Sequence, residues 1–258
     1  MAYEEFAIFL REKEAALLLW CKGTMRVFIA SLLAASAAAF VPLHVAPGLR
    51  STTRARSAAL ALDMKVAVFG ASGLTGAEVA YQALQRGQGV VALARTPSKV
   101  TKPQGSCGAE AVTEPLTDAN LKVIAGSVTN QEDVDAVFAE GDITSVIVSL
   151  GGKTADVGET MLTDGTSNII KAMKANGVKR IAVVTSIGAG DSENQAPFFF
   201  KVLMWTAMKK IFADKNNQEA LFLDGPGKDL EFCIVRPGGL NVEPPTGVIN
   251  VIDGQAGR

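Results

Sequence analysis

From residue 65 onward the chain alternates short apolar runs with longer stretches of helical periodicity. KVAVFG, GVVALAR, NLKVIAGSV, ITSVIVSLGG, VKRIAVVTSIG and LEFCIVRPGG read as buried strands. They are rich in Val and Ile, and most end at Gly, Ser or Pro. Between them the pattern predicts helices over Thr75–Arg86, Gln131–Ala139, Val157–Ala175 and roughly Pro197–Leu223. Arg95–Ala119 is richer in Gly, Pro and Thr and reads as a loop. Strand–helix alternation of this kind predicts an α/β fold, a doubly wound parallel sheet in a single domain, with helices on both faces.

The first 63 residues do not continue this pattern. Between Met25 and Leu62 there is no acidic residue but there are four arginines, Arg26, Arg50, Arg54 and Arg56. MRVFIASLLAASAAAF has a charged start, an apolar run and small residues at Ala37 and Ala39, the order of a signal peptide. The run is shorter than the roughly 20 residues that span a bilayer. The Arg-, Ser- and Ala-rich VPLHVAPGLRSTTRARSAAL follows, like a transit peptide. With Phe40 after the small-residue run, the whole resembles the bipartite presequence of plastids acquired by secondary endosymbiosis. That implies a plastid location for residues 64–258. The alternative is a plain secretory signal or an anchor helix. Residues 1–24 carry four glutamates, which suits an upstream extension with Met25 as the working start.

Setting the leader aside changes the chemical inventory. Residues 64–258 carry 18 Lys and Arg against 21 Asp and Glu, so nothing draws them to nucleic acid. The only histidine of the chain, His44, lies in the leader, which excludes a Ser-His-Asp triad or a histidine metal site after it. Cys21, Cys107 and Cys233 are far apart, without metal-ligand or CxxC spacing. Cys233 falls inside a strand run, as a small apolar side chain would.

The sharpest motif is KVAVFGASGLTGAEVA. A strand runs into Gly70, Gly73 and Gly76 and then a helix, the context in which a glycine turn presents a helix N-terminus to a pyrophosphate. Ser72, Leu74 and Thr75 belong to the same turn. NAD binders usually end the second strand with an acid for the ribose 2′-OH. Here no acid stands between Glu78 and Glu110; the strand ends at Arg95, followed by Thr96 and Lys99. A guanidinium there suits a 2′-phosphate, so the pattern favours NADP over NAD.

The glycine loop, ALART, VTSIGAG and IVRPGGL, in this order, resemble the atypical short-chain dehydrogenase/reductases of the NmrA-like, NAD(P)-binding group, over about Lys65 to Glu243. Arg236–Gly239 is the most specific of these motifs. The resemblance implies that Ser127 and Val128 border the adenine, where the group's usual Asp is replaced by Ser127. It implies that Ser149, Leu150 and Gly151 pass the ribose, and that Pro237, Gly238 and Gly239 lie near the nicotinamide. Thr185 and Ser186 match the active-site serine position, and Lys215 matches the lysine that holds the nicotinamide ribose. The candidate catalytic residues are therefore Ser186 and Lys215. The tyrosine of Tyr-x-x-x-Lys is absent, because Ile211 stands in its place. Tyr81, the only tyrosine after residue 63, is assigned to the helix behind the glycine loop. Acidic Asp214 and Glu219 flank Lys215 and are expected to raise its pKa. Relatives carry further structure over the substrate cleft after the GVINVIDGQAGR region, which implies an open cleft or an incomplete sequence.

Two functions follow. One is an NADPH-dependent oxidoreductase acting on a small or conjugated plastid molecule. The other is a non-catalytic NADPH-binding redox sensor or assembly factor for a photosynthetic complex. PFFFKVLMWTAMKKIF also admits two readings, a helix lining the substrate cleft or an exposed patch. In the second, Phe198, Phe199, Phe200 and Trp205 meet a membrane or a protein partner.

Overall fold

A computed structural model describes residues 64–152 and 158–242. The leader, Val157 and the chain beyond residue 242 lie outside the described residues. Six strands, β1 (Lys65–Phe69), β2 (Gly89–Ala94), β3 (Leu121–Ala125), β4 (Ile143–Val148), β5 (Arg180–Val184) and β6 (Glu231–Val235), form one sheet. Their order is β3-β2-β1-β4-β5-β6, and every pairing is parallel. The order reverses direction between β1 and β4, so a crevice opens there at the carboxyl ends of the strands.

The helices are α1 (Leu74–Gln85), α2 (Gln104–Cys107), α3 (Gln131–Phe138), α4 (Met161–Ala175), α5 (Phe198–Trp205) and α6 (Lys209–Leu223). Strand alternation sends successive side chains to opposite faces. Ala67, Phe69, Val91, Val146, Val148, Ile181 and Val183 pack with Val134, Ile169, Ile170, Met173 and Phe222 of α3, α4 and α6. Val66, Val68, Val90, Ala92 and Ile147 face the other way, against Val79, Ala80, Ala83 and Leu84 of α1. Ala189, Ala196, Met204 and Phe212 form a smaller cluster that ties α5 to α6.

Four expectations need correction. The long predicted helix over Pro197–Leu223 is two helices. Thr206 leaves helical geometry at φ −109°, ψ −91°. Its hydroxyl donates to Val202 O at 2.7 Å and so closes the first helix with a side chain, the competition that Thr offers a helix backbone. The helix expected from Val157 begins at Met161. Its first N–H groups, which have no partner within the helix, are met from α6, where Asp214 accepts from Leu162 N at 2.8 Å and Thr163 N at 3.0 Å. A carboxylate at a helix N-terminus satisfies orphan donors and complements the dipole. The expected loop over Arg95–Ala119 contains the single turn α2 and two short 3₁₀ turns, Pro97–Lys99 and Ala109–Thr113. Strand β3, read as buried, is instead a half-exposed edge strand.

Candidate dinucleotide site

The site begins where β1 ends. Gly70 sits at φ +97°, and a Cβ there would lie 2.3 Å from Ser149 O. Any larger residue would push the β1 turn off the end of β4. A Cβ on Gly76 would lie 2.1 Å from Gly70 O, so α1 can start this close to the strand only with glycine at that place. Gly73 N donates to Gly70 O at 3.0 Å and closes the turn. No side chain caps α1, and its first turn contains no acid. Its leading N–H groups therefore form an uncapped, electropositive end.

That end opens into a cavity of about 690 Å³ at the switch point. Ser72, Gly73, Leu74 and Thr75 form its floor beside Gly70; Ser149, Leu150 and Gly151 form the facing wall. Arg95 and Lys99 stand at the β2 end, and Ser127 and Val128 at the β3 end. Thr185, Ser186, Lys215, Pro237 and Gly238 close the β5–β6 end. Among the described residues, three cationic side chains, Arg95, Lys99 and Lys215, line this cavity, and no carboxylate does. The residues present fit a dinucleotide: a glycine cradle that a Cβ would fill, an uncapped helix end and a cationic wall.

Lys215 Nζ donates to Thr185 O at 3.1 Å, which aims the ammonium along the end of β5. Burial lowers its pKa, outweighing the opposite pull of Glu219 and Asp214. This corrects the expectation that the flanking acids prevail. Asp214 spends its carboxylate on the start of α4. Glu219 is turned to other partners one helical turn on. Ser186 Oγ donates to Ile187 O at 3.1 Å.

Behind this wall is a buried polar strut that no sequence motif for the cofactor indicated. Glu219 is 1% exposed. It accepts from Thr185 Oγ1 at 2.7 Å, Arg236 Nε at 3.1 Å and Arg236 Nη2 at 2.7 Å. Arg236 Nη1 also donates to Asp191. Burial opposes the Arg236 charge, yet the hydrogen bonds and charges of Glu219 and Asp191 hold its pKa above the usual value. The backbones are zipped over the same stretch, with Thr185 N donating to Val235 O at 2.8 Å and Ile187 N to Pro237 O at 2.9 Å. A Cβ on Gly190 would come within 2.4 Å of Glu219 Oε2, so the loop after β5 lies directly on the pair. Arg236 of the Arg-Pro-Gly-Gly motif is thus a strut, while Pro237 and Gly238 reach the cavity.

Most sequence-predicted residues come together at the cavity, and three do not. Gly76 is buried beneath Gly70; Thr96 and Gly239 are exposed and lie outside the lining. Thr96 instead starts the 3₁₀ turn that carries Lys99, its carbonyl accepting from Lys99 N at 3.0 Å. Sequence reasoning missed the apolar floor made by Phe69, Leu93 and Val184, and the side wall at Met161. The signal for the floor was available: these are terminal or near-terminal residues of β1, β2 and β5, at the carboxyl edge of the sheet. Neither Ile211 nor Tyr81 lines the cavity.

Residues 70–258 match the family described as NAD(P)H-binding. The chain belongs to that family. An uncharacterized chloroplastic protein of Arabidopsis thaliana is 31% identical over 191 residues, which cover 71% of this chain and 61% of the relative. The match therefore spans about three fifths of that relative's length. UPF0659 protein YMR090W of Saccharomyces cerevisiae is 25% identical over 192 residues, covering 74% of this chain and 76% of the yeast protein. Among solved structures, the oxidoreductase ylbE of Lactococcus lactis superposes with a TM-score of 0.56 at 20% identity, over 74% of this chain and 76% of that one. At that identity the likeness is one of fold.

Proposed function

We propose that this chain is an atypical, NmrA-like short-chain dehydrogenase/reductase that binds NADPH in preference to NADH and reduces a small or conjugated substrate. The observation that carries the cofactor preference is the wall at the end of β2. Arg95 and Lys99 face the cavity there, and among the described residues no carboxylate lines it to hold a ribose 2′-OH. The N-terminus of α1 would hold the pyrophosphate. Ser149 to Gly151 would pass the ribose, and Lys215 would bridge the nicotinamide ribose hydroxyls.

A bound NADPH supplies a hydride; the protein's part is orientation and field. Lys215 contributes a fixed positive charge beside the reacting end, and Ser186 a hydroxyl that can hold a substrate oxygen. With Ile211 in the tyrosine position there is no phenol to give up a proton, so the proton comes from solvent or from substrate. The same absence supports the second reading, an NADPH-binding sensor or assembly factor without turnover. The leader composition supports a plastid setting, as does the chloroplastic Arabidopsis relative. The test is a screen of NADPH oxidation against plastid quinones, aldehydes and tetrapyrroles. Turnover with one class, reduced by Ser186→Ala, supports the reductase. Tight NADPH binding with no oxidation by any class favours the sensor.

A further inference from the structure

Helix α5 has two unlike faces. Met204 is buried and Phe200 half-buried, the latter packing edge-on against Phe212 at 5.9 Å between ring centroids. This corrects the inclusion of Phe200 in the exposed patch. The opposite face is apolar and open: Phe198 is 71% exposed, Phe199 87%, Trp205 56%, and Val202 and Leu203 43% each. Positions 198, 202 and 205 follow the i, i+4, i+7 row, and 199 and 203 run beside it, so the five side chains form one continuous stripe. Trp205 borders a separate hollow beside Met204 and Phe212, and none of the five lines the dinucleotide cavity. The stripe is thus not the wall of the candidate active site.

The charges around the stripe identify what covers it. Pro197 to Phe212 holds Lys201, Lys209 and Lys210 and no acid. Of the neighbouring acids, Glu159 is paired with Lys210, and Glu193 accepts from the Trp205 indole N–H at 3.0 Å while keeping its charge, which leaves the lysines in excess. Lys201 and Lys209 form no ion pair among the described residues. Lysine is depleted from the cores of protein interfaces but enriched beside apolar faces that sit at lipid headgroups. A two-fold pairing of this face with a second copy would set lysine against lysine. An eight-residue helix spans only about 12 Å, enough to lie in an interface and not to cross one. A tryptophan at the edge of the stripe, with its N–H on a polar partner, suits the boundary between acyl chains and water.

We propose that the exposed face of α5 is a peripheral docking surface for an anionic lipid membrane. Phe198, Phe199, Val202 and Leu203 enter the headgroup–acyl boundary, and Lys201 and Lys209 meet the lipid charge.

Trp205 reports directly on this contact. The chain has two tryptophans, so Trp20→Phe in the full-length chain leaves Trp205 as the sole emitter. With phosphatidylglycerol–phosphatidylcholine vesicles, Trp205 emission shifts to the blue and is quenched by bromine on the acyl chains. Phosphatidylcholine vesicles alone, or added salt, weaken the effect. Phe198→Ser with Phe199→Ser in the same chain abolishes the shift, with partitioning weakened roughly tenfold or more for each phenylalanine, and leaves the far-UV spectrum unchanged. Vesicle binding without change in Trp205 emission would place the contact in another segment and overturn the proposal. So would a serine variant that binds as well as its parent. A dimer in solution that the serine substitutions dissociate would assign the face to a second copy instead.

Discussion

Replacing Glu219 by Gln keeps the shape of the buried strut and removes its charge. The carboxylate accepts three hydrogen bonds, two of them from Arg236, while being 1% exposed. The amide offers one oxygen and turns an NH2 group toward guanidinium donors. Arg236, whose side chain is 18% exposed, then keeps only Asp191, itself 64% exposed. Removing one partner of a buried ion pair costs about 3–5 kcal/mol. The surviving Asp191 contact places this case at the lower end, about 3 kcal/mol, or roughly 6–12 °C in Tm for a domain of this size. Urea unfolding read by far-UV circular dichroism measures it, as a lower midpoint with an unchanged m-value. The double change Glu219→Leu with Arg236→Met should lose less than the sum of the two single changes, because no charge is then left buried alone. A loss below about 1 kcal/mol for Glu219→Gln, or strict additivity in the double variant, would refute the strut.

Arg95→Ala should weaken NADPH binding by about 1.5–3 kcal/mol, roughly one to two decades, and leave NADH nearly unchanged; titration of both nucleotides checks this. Lys215→Met should lower NADPH affinity without lowering stability. The folded-state pKa of Lys215 is depressed below its ordinary 10.5. The unfolded chain therefore binds more protons between the two values, and stability rises with pH through that window. The cost of holding the buried charge is fully present below the folded-state value, and the Met variant removes both the cost and the slope. Denaturant midpoints across alkaline pH test the sign. Protein isolated from the organism's plastids should begin between Ser51 and Lys65, as N-terminal sequencing would show; intact residues 25–50 would contradict the presequence.

Much of the architecture was legible because its signals are local. Most strands are short Val/Ile runs closed by Gly, Ser, Thr or Pro, and the glycine loop carries its own geometric reason at Gly70 and Gly76. The break at Thr206 was not legible, since Thr206 stands in an apolar run that reads as continuous helix. Its departure depends on one hydroxyl choosing the Val202 carbonyl. The roles of Asp214 and Glu219 were hidden for a different reason. In sequence both are neighbours of Lys215, but in space one caps α4 and the other clasps Arg236. Through-chain proximity therefore gave the wrong sign for the Lys215 pKa, because burial is a tertiary property. Gly239 and Thr96 were assigned by motif extension, but the cavity is lined by their neighbours, Gly238 and Leu240 in one case and Arg95 and Lys99 in the other.

The central claim is that the cavity between β1 and β4 is an NADPH site set by its cationic wall. Calorimetric titration of the full chain with NADPH and with NADH, in one buffer at one salt concentration, tests it most directly. One NADPH should bind per chain, at least about tenfold tighter than NADH, with the difference erased by Arg95→Ala. Equal or tighter binding of NADH, or no heat from either nucleotide, would contradict it.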